Sequence, residues 1–236
     1  MPDISNQFPM LFNSKVGKVS SRTEAYSCPS NTRTLFHTIL LTNISKTKSD
    51  VVCTLSVFLT ALNIEVIIMK NILIPYGGAW SLHKPLACIS NDKLIISTEN
   101  QYDVSFYIDF LERKDSLNSS ATQINRSGKP LTNIDQKVLE ATTGRFLRIF
   151  SLYVSAVSDE TEATVDVMIS KYNGETEYIL KDTTVKNNIG TLDFASITSF
   201  DRPLSLSEYD SIIAKSNKNN ALNIYFCYDD ILLNIN

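Results

Sequence analysis

Two histidines and four cysteines are the residues of this chain best equipped for nucleophilic, acid–base or metal chemistry. His37 falls within an alternating run, opposite Ile149 in the other half, where a hydrogen-bonded structural histidine is expected. His83 sits in the loop before Pro85. Cys28, Cys53, Cys88 and Cys227 form no Cys-x-x-Cys pair and have no histidine at zinc spacing, so four free thiols are expected. Asp229-Asp230, and Asp159 with Glu160 and Glu162, could do general acid–base work if a second carboxylate were brought within about 5–10 Å. The acidic loop lacks the spacing and the glycine of a calcium loop. Trp80 with Asn91 and Asp92 is the one group suited to stacking on a sugar. No nucleophile elbow, His-Glu-x-x-His pair, Walker loop or dinucleotide fingerprint is present. The sequence thus predicts a protein that is not an enzyme, with no catalytic, cofactor-binding or metal-binding residues and no cofactor.

Bulk properties narrow the partners. The net charge is -3, and Lys15, Lys18 and Arg22 form the most basic local cluster, so nucleic acid is not expected as a partner. The most apolar window, VVCTLSVFLTALNIEVIIM, is interrupted by Thr54, Ser56, Thr60, Asn63 and Glu65 at strand-like intervals, and no membrane span is expected. The opening MPDISNQFPMLFNSK carries an acid and a proline where a signal peptide needs a basic start and a clean apolar run.

The elements that would hold any site are written twice. Residues 114–137 begin with a Ser-, Asn- and Thr-rich stretch without sustained apolar period and read as a linker. On either side, Arg33 and Arg145 are 112 apart (145 − 33), and so are Val51 and Ala163 (163 − 51). That offset aligns Leu35 with Leu147 and Leu40 with Leu152, with intervening loops of equal length. Val51, Cys53, Leu55 and Val57 answer Ala163, Val165, Val167 and Ile169. Near the end of each half, at an offset of 118 (225 − 107), Val104, Phe106, Ile108 and Phe110 answer Leu222, Ile224, Phe226 and Tyr228. A period of two puts each set on one sheet face, and a slip of one residue would turn it outward.

In the first half, strands are expected at 19–26, 33–42, 51–59, 65–74, 79–82, 93–98 and 102–111, with Pro75-Tyr76-Gly77-Gly78 as a turn. About seven alternating strands with one apolar face need a second sheet to cover it. The expected fold is all-β: two tandem antiparallel β-sandwich domains, Ig-like or jelly-roll-like. Their boundaries would be an N-terminal arm at 1–17, a first sandwich at 18–113, a linker at 114–137 and a second sandwich at 138–236.

The turn and strand-end residues carry a resemblance. Tyr26 with Pro29, Leu41 with Asn43, Ile74-Pro75 with Gly77-Gly78, Pro85-Leu86, Asn91-Asp92 with Leu94, and Leu111-Glu112 together resemble a small β-sandwich module of tailed-bacteriophage virion structural proteins. The second half keeps Arg202-Pro203-Leu204, Asp210 with Ile212, and Asp229-Asp230. It lacks the Pro-Gly-Gly turn and has Ser155 where the strand-ending asparagine would stand. The resemblance implies a non-enzymatic part of the particle (neck, tail, baseplate, fibre or capsid decoration), assembled in the host cytoplasm and contacting other virion proteins as a homo-oligomer. A glycan-binding adhesin or receptor-reading fibre is the alternative, with a host glycan as partner. The interface candidates are Phe8, Met10, Leu11 and Phe12 of the arm, and Phe58, Tyr107, Met168 and Tyr225 on the faces expected to point outward.

Overall fold

The computed structural model describes residues 11–82, 84–114, 122–157, 162–185 and 196–233. The first half contains β1 (Leu11–Val19), β2 (Arg22–Ser27), β3 (Thr32–Asn43), β4 (Val51–Leu59), β5 (Ile64–Ile74), β6 (Ala79–Leu82), β7 (Leu86–Ile89), β8 (Lys93–Thr98) and β9 (Val104–Lys114). The second contains β10 (Thr122–Pro130), β11 (Gln136–Glu140), β12 (Arg145–Ala156), β13 (Ala163–Ser170), β14 (Thr176–Val185), β15 (Ser196–Leu206), β16 (Ser211–Ser216) and β17 (Leu222–Leu232). A 3₁₀ turn at Thr60–Leu62 follows β4. No helix among the described residues is long and apolar enough to cross a membrane.

Every strand pairing is antiparallel, and the order of strands repeats. One sheet runs β1-β9-β3-β6, with β7 also on β3, and faces β2-β8-β4-β5. In the second half β10-β17-β12-β15 faces β11-β16-β13-β14. Neighbours that are distant in sequence, such as β1 beside β9, require crossover connections between the sheets. Each sheet pair encloses its own apolar core. Phe36, Ile39, Leu41, Leu55, Ile68, Leu94 and Ile108 belong to the first; Ile149, Leu152, Val154, Val165, Ile212 and Phe226 belong to the second.

Two expected boundaries shift. The region expected as an arm becomes a strand from Leu11 onward, because β1 covers the free edge of β9 in its own sheet. Much of the stretch expected as a linker is β10 and β11, which repeat the roles of β1 and β2. Both strands that open a half lie at sheet edges, where polar residues and glycine are tolerated, so their composition imitates a loop. The short β7 was also not expected; with β1 it brings the first half to nine strands among the described residues.

The register of one duplicated strand differs from the reading above. Leu41 pairs with Phe106 and Val154 with Ile224, so β3 and β12 correspond at an offset of 113 (154 − 41). The offset of 112 holds from β4 to β13, where Cys53 pairs with Thr98 and Val165 with Ser216. The connection between the two strands is therefore one residue shorter in the second half, not equal. Ile39 corresponds to Leu152, while Leu40 and Leu35 lie on the opposite face from Ile39 and Leu41. The Leu40/Leu152 and Leu35/Leu147 identities are coincidences of facing. His37 corresponds to Phe150, not Ile149. Both sit where the register skips a residue, and His37 is exposed with its ring stacked on Phe12, centroids 6.3 Å apart.

The turns recur with their hydrogen bonds. Asn91 and Tyr209 both adopt positive φ (70° and 65°) just before a buried aspartate. Asp92 accepts the backbone N–H groups of Thr60 (3.1 Å) and Ile89 (3.0 Å), and Asp210 those of Tyr172 (3.2 Å) and Ser207 (3.0 Å). Each carboxylate thereby ties two loops together. Pro75-Tyr76-Gly77-Gly78 closes as expected, with the Gly78 N–H on the Pro75 carbonyl at 2.8 Å and Gly77 at φ +69°.

The corrected facing has a measurable consequence. Leu152→Ala removes a fully buried core side chain and should cost about 2–5 kcal/mol in denaturant unfolding. Leu40→Ala, on the half-exposed face, should cost about 1 kcal/mol or less. Equal costs would mean that the two leucines share a facing.

Candidate functional site

The residues first considered for chemistry are separated or already engaged. Asp229 accepts a hydrogen bond from Arg148, and Asp230 pairs with Arg145 at 3.3 Å. A cleft of about 280 Å³ opens between the halves, lined by Thr54, Glu65, Ile67, Pro130, Val157, Asn220 and Asn223. Its one carboxylate, Glu65, accepts from Ser56 Oγ (2.5 Å) and Arg22 (2.8 Å). Trp80 packs against the first core, and Asp92 is buried, so they form no sugar platform with Asn91. No group of three or more His, Cys, Asp or Glu that could hold a metal exists among the described residues. His83 and residues 158–161 of the acidic loop lie outside the described residues.

What the sequence builds instead is a junction. The outer side of the β10-β17-β12 sheet covers β5 and β7 of the first half. At its centre Arg126, from β10, donates from Nε to Asp92 Oδ2 and from Nη2 to Asp92 Oδ1, both at 2.8 Å. The side chains are 7% and 0% exposed. Asp92 thus holds two of its own loops and the guanidinium of the other half. Burial alone would lower the Arg126 pKa, but the hydrogen bonds and charge of Asp92 hold it above its usual value. In the second half, Asp210 has a local partner, Lys171, at 2.8 Å.

Two tyrosines complete the junction. Tyr153 donates to the Pro85 carbonyl (2.9 Å) or the Lys84 carbonyl (3.1 Å), and Tyr225 donates to the Ala87 carbonyl. Both rings join the first core, although their strands belong to the second half. Ser151 donates to the Pro85 carbonyl at 2.7 Å, and Ser155 to the Ile67 carbonyl. Gly128 pairs with Tyr225, and a Cβ there would lie 2.7 Å from its ring, so glycine is what lets the tyrosine lie flat across β10.

The interface candidates divide accordingly. Phe12 (72% exposed) and Tyr107 (39%) do lie on an accessible face. Phe58 is half-buried between the cross-strand neighbours Glu65 and Lys93. Met168 is buried, beside Ile213 and Tyr178, and does not point into solvent as expected. Tyr225 is fully buried: it points away from its own core, as expected, but into the other half. Leu11 opens β1, and Phe8 and Met10 lie outside the described residues.

Arg126 and Tyr153 were not singled out from sequence, yet a signal existed. β9 alternates Asp109 with apolar residues, whereas Cys227 takes that place in β17 and Leu222–Tyr228 is buried throughout. A strand buried on both faces reads as a continuous apolar run.

No protein-family model matches this chain, and no curated protein matches its sequence. Solved structures are similar only distantly. The STIV MCP, from Sulfolobus Turreted Icosahedral Virus, aligns over 95% of this chain and 96% of its own at 12% identity and TM-score 0.33. The major capsid protein P2 of bacteriophage PM2 aligns over 96% and 99% at 11% identity and TM-score 0.35. PNGase F, a glycosylasparaginase from Flavobacterium meningosepticum, aligns over 96% of each chain at 9% identity and TM-score 0.39.

Removing the guanidinium leaves Asp92 buried without its charge partner. Arg126→Ala should therefore destabilise the fold by about 3–5 kcal/mol. Cys88 and Cys227 lie at the junction, both fully buried with thiols pushed up by burial. In pulsed alkylation followed by mass spectrometry, Arg126→Ala should expose these two before Cys53, which sits in the first core between β5 and β8. Uniform labelling of all three would contradict a separable junction.

Asp210 gives a pH dependence. Burial would raise its pKa, but the Lys171 ammonium and the Ser207 and Tyr172 N–H groups hold it below the ordinary value of 3.8. A depressed carboxylate contributes stability above its unfolded pKa and loses it as pH falls through the folded pKa. Acid melts of the wild type should therefore lose stability below about pH 4, and Asp210→Asn should flatten that part of the profile while lowering stability at neutral pH.

Proposed function

We propose that the protein is a non-enzymatic structural subunit of a virus particle, built as two tandem jelly-roll sandwiches spanning roughly residues 11–114 and 122–233. The observation that carries this reading is the same jelly-roll connectivity written twice and locked by a buried Arg126–Asp92 pair. Jelly rolls serve as viral capsid and lectin domains, a warrant that rests on analogy of fold. The internal lock supports the building-block role, because it makes two sandwiches one rigid body with defined outward surfaces. Within this reading, the tailed-bacteriophage positions implied by the sequence resemblance are neck, tail, baseplate, fibre or capsid decoration. The partners are other virion proteins and further copies of the chain.

A glycan-binding role has one observation in its favour. Tyr172 (77% exposed) and Tyr209 (44%) lie with ring centroids 5.3 Å apart and tilted by 37°, and the Tyr209 hydroxyl hydrogen-bonds Thr143. An aromatic pair beside hydroxyls suits a sugar ring. Saturation-transfer NMR against a glycan panel, with signal lost on Tyr172→Ala, would support it.

The deciding experiment is quantitative peptide mass spectrometry of density-purified particles released by the source host. Enrichment of this chain at a fixed ratio to a major capsid protein is expected, and the ratio reports its symmetry. Recovery only in the soluble fraction would overturn the particle reading.

A further inference from the structure

The junction joins two surfaces, and each has a duplicate that is still accessible. The plug is the outer face of β10-β17-β12, where Tyr225 and Tyr153 project. Its duplicate is the outer face of β1-β9-β3. Tyr107 stands there for Tyr225 (225 − 107 = 118) and Leu40 for Tyr153 (153 − 40 = 113), and Leu40 and Tyr107 pair directly. This face also presents Val16 (71% exposed), which pairs with Tyr107, and Phe12.

The socket is formed by β5 and β7, whose Ile67 and Ala87 carbonyls accept Ser155 and Tyr225. Its duplicate is β14 with the end of β15. Tyr178 stands there for Ile67 (178 − 67 = 111) and Ser205 for Ala87 (205 − 87 = 118). Even the backbone irregularity recurs, with Asn71 and Asp182 at positive φ (55° and 46°). Ala87 is fully buried under the plug, whereas Ser205 is exposed and Tyr178 is 49% exposed.

We infer that the outer face of β1-β9-β3 docks against the β14/β15 side of a second copy of this chain, repeating between molecules the contact made within one. Register supports this occupant. In the internal junction Pro130 lines the cleft beside Glu65 and Ile67. The residue duplicated by Pro130 is Lys18 (130 − 18 = 112), and Glu65 and Ile67 are duplicated by Thr176 and Tyr178, both exposed on the face of β14 opposite Glu177. Lys18 thus comes to the Thr176 hydroxyl and the Tyr178 ring. The contact is heterologous, so successive copies close into a ring or extend as a filament. It lacks the buried ion pair, since Ser14 stands for Arg126 (126 − 14 = 112) and Asp210 is already held by Lys171. Association between copies is accordingly weaker than the internal lock and depends on concentration. The inference deepens the assembly role proposed above and rests on it.

The test mixes two full-length single variants, Tyr107→Cys and Ser205→Cys, and treats them with a short bismaleimide. A tyrosine side chain separates the two backbones, which is beyond the reach of a disulfide. The four native thiols are buried. Cross-linking of 107 to 205 is expected, with none from Ile134→Cys, a distant exposed control. In sedimentation velocity, Tyr107→Glu should raise the dissociation constant at least tenfold with an unchanged melting profile. Tyr178→Glu, on the socket side, should weaken association to a similar degree. Oligomers that ignore Tyr107→Glu, or that cross-link 107 to 107, would overturn this contact while leaving the assembly role intact. A chain that stays monomeric at all concentrations and yields no cross-link would also overturn it. Particle mass spectrometry decides separately whether the assembly role itself stands.

Discussion

A carboxylate buried at 0% exposure needs a cation, and Asp92 finds its cation 34 residues later, in the other half of the fold. That requirement organises the molecule. Asp92 already orders the loops before β5 and β8, so the groups that shape the first sheet pair are also those that dock the second. A buried pair of this kind adds little net stability over apolar packing, but breaking it is costly, which makes it a device for fixing one arrangement. Tyr153, Tyr225, Ser151 and Ser155 then donate only to carbonyls that this arrangement presents.

The two halves show how one framework diverges under different surroundings. The aspartate turn, the positive-φ residue before it and the strand order are kept in both. What changes is the outer face. Asp109 becomes Cys227, Ser14 becomes Arg126 and Leu40 becomes Tyr153, each replacement suiting a surface that is buried within the chain itself. The core positions are constrained by packing and the turns by backbone geometry, so they vary less in character.

This division explains what could be read from sequence. The all-β class, the duplication and the inward sets of β4, β9 and β13 were legible because polar residues alternate with apolar ones there, and the inward set of β17 through its match to β9. The offset between β3 and β12 was not. Leu35 and Leu40 are apolar on the outward side, which blurs the period, and chance leucine matches then favoured the wrong register by one. β1 and β10 were hidden by their edge position, where LFNSKVGKV and TQINRSGKP carry too little apolar alternation to announce a strand. The junction was the least legible part. A face is buried or not according to what lies against it, and no local period records a neighbour about 140 residues away in sequence.

The tyrosine plug also sets an order of events during synthesis. β1 to β9 are complete by Lys114, yet the first core includes rings at Tyr153 and Tyr225, and the Tyr225–Ala87 contact spans 138 residues. On the ribosome, the N-terminal pair of sheets therefore emerges with one flank open and with Asp92 awaiting its guanidinium. It reaches its finished form only after β17 has been made and threaded into place. Maturation runs backward along the chain: a strand of the second half closes the first core.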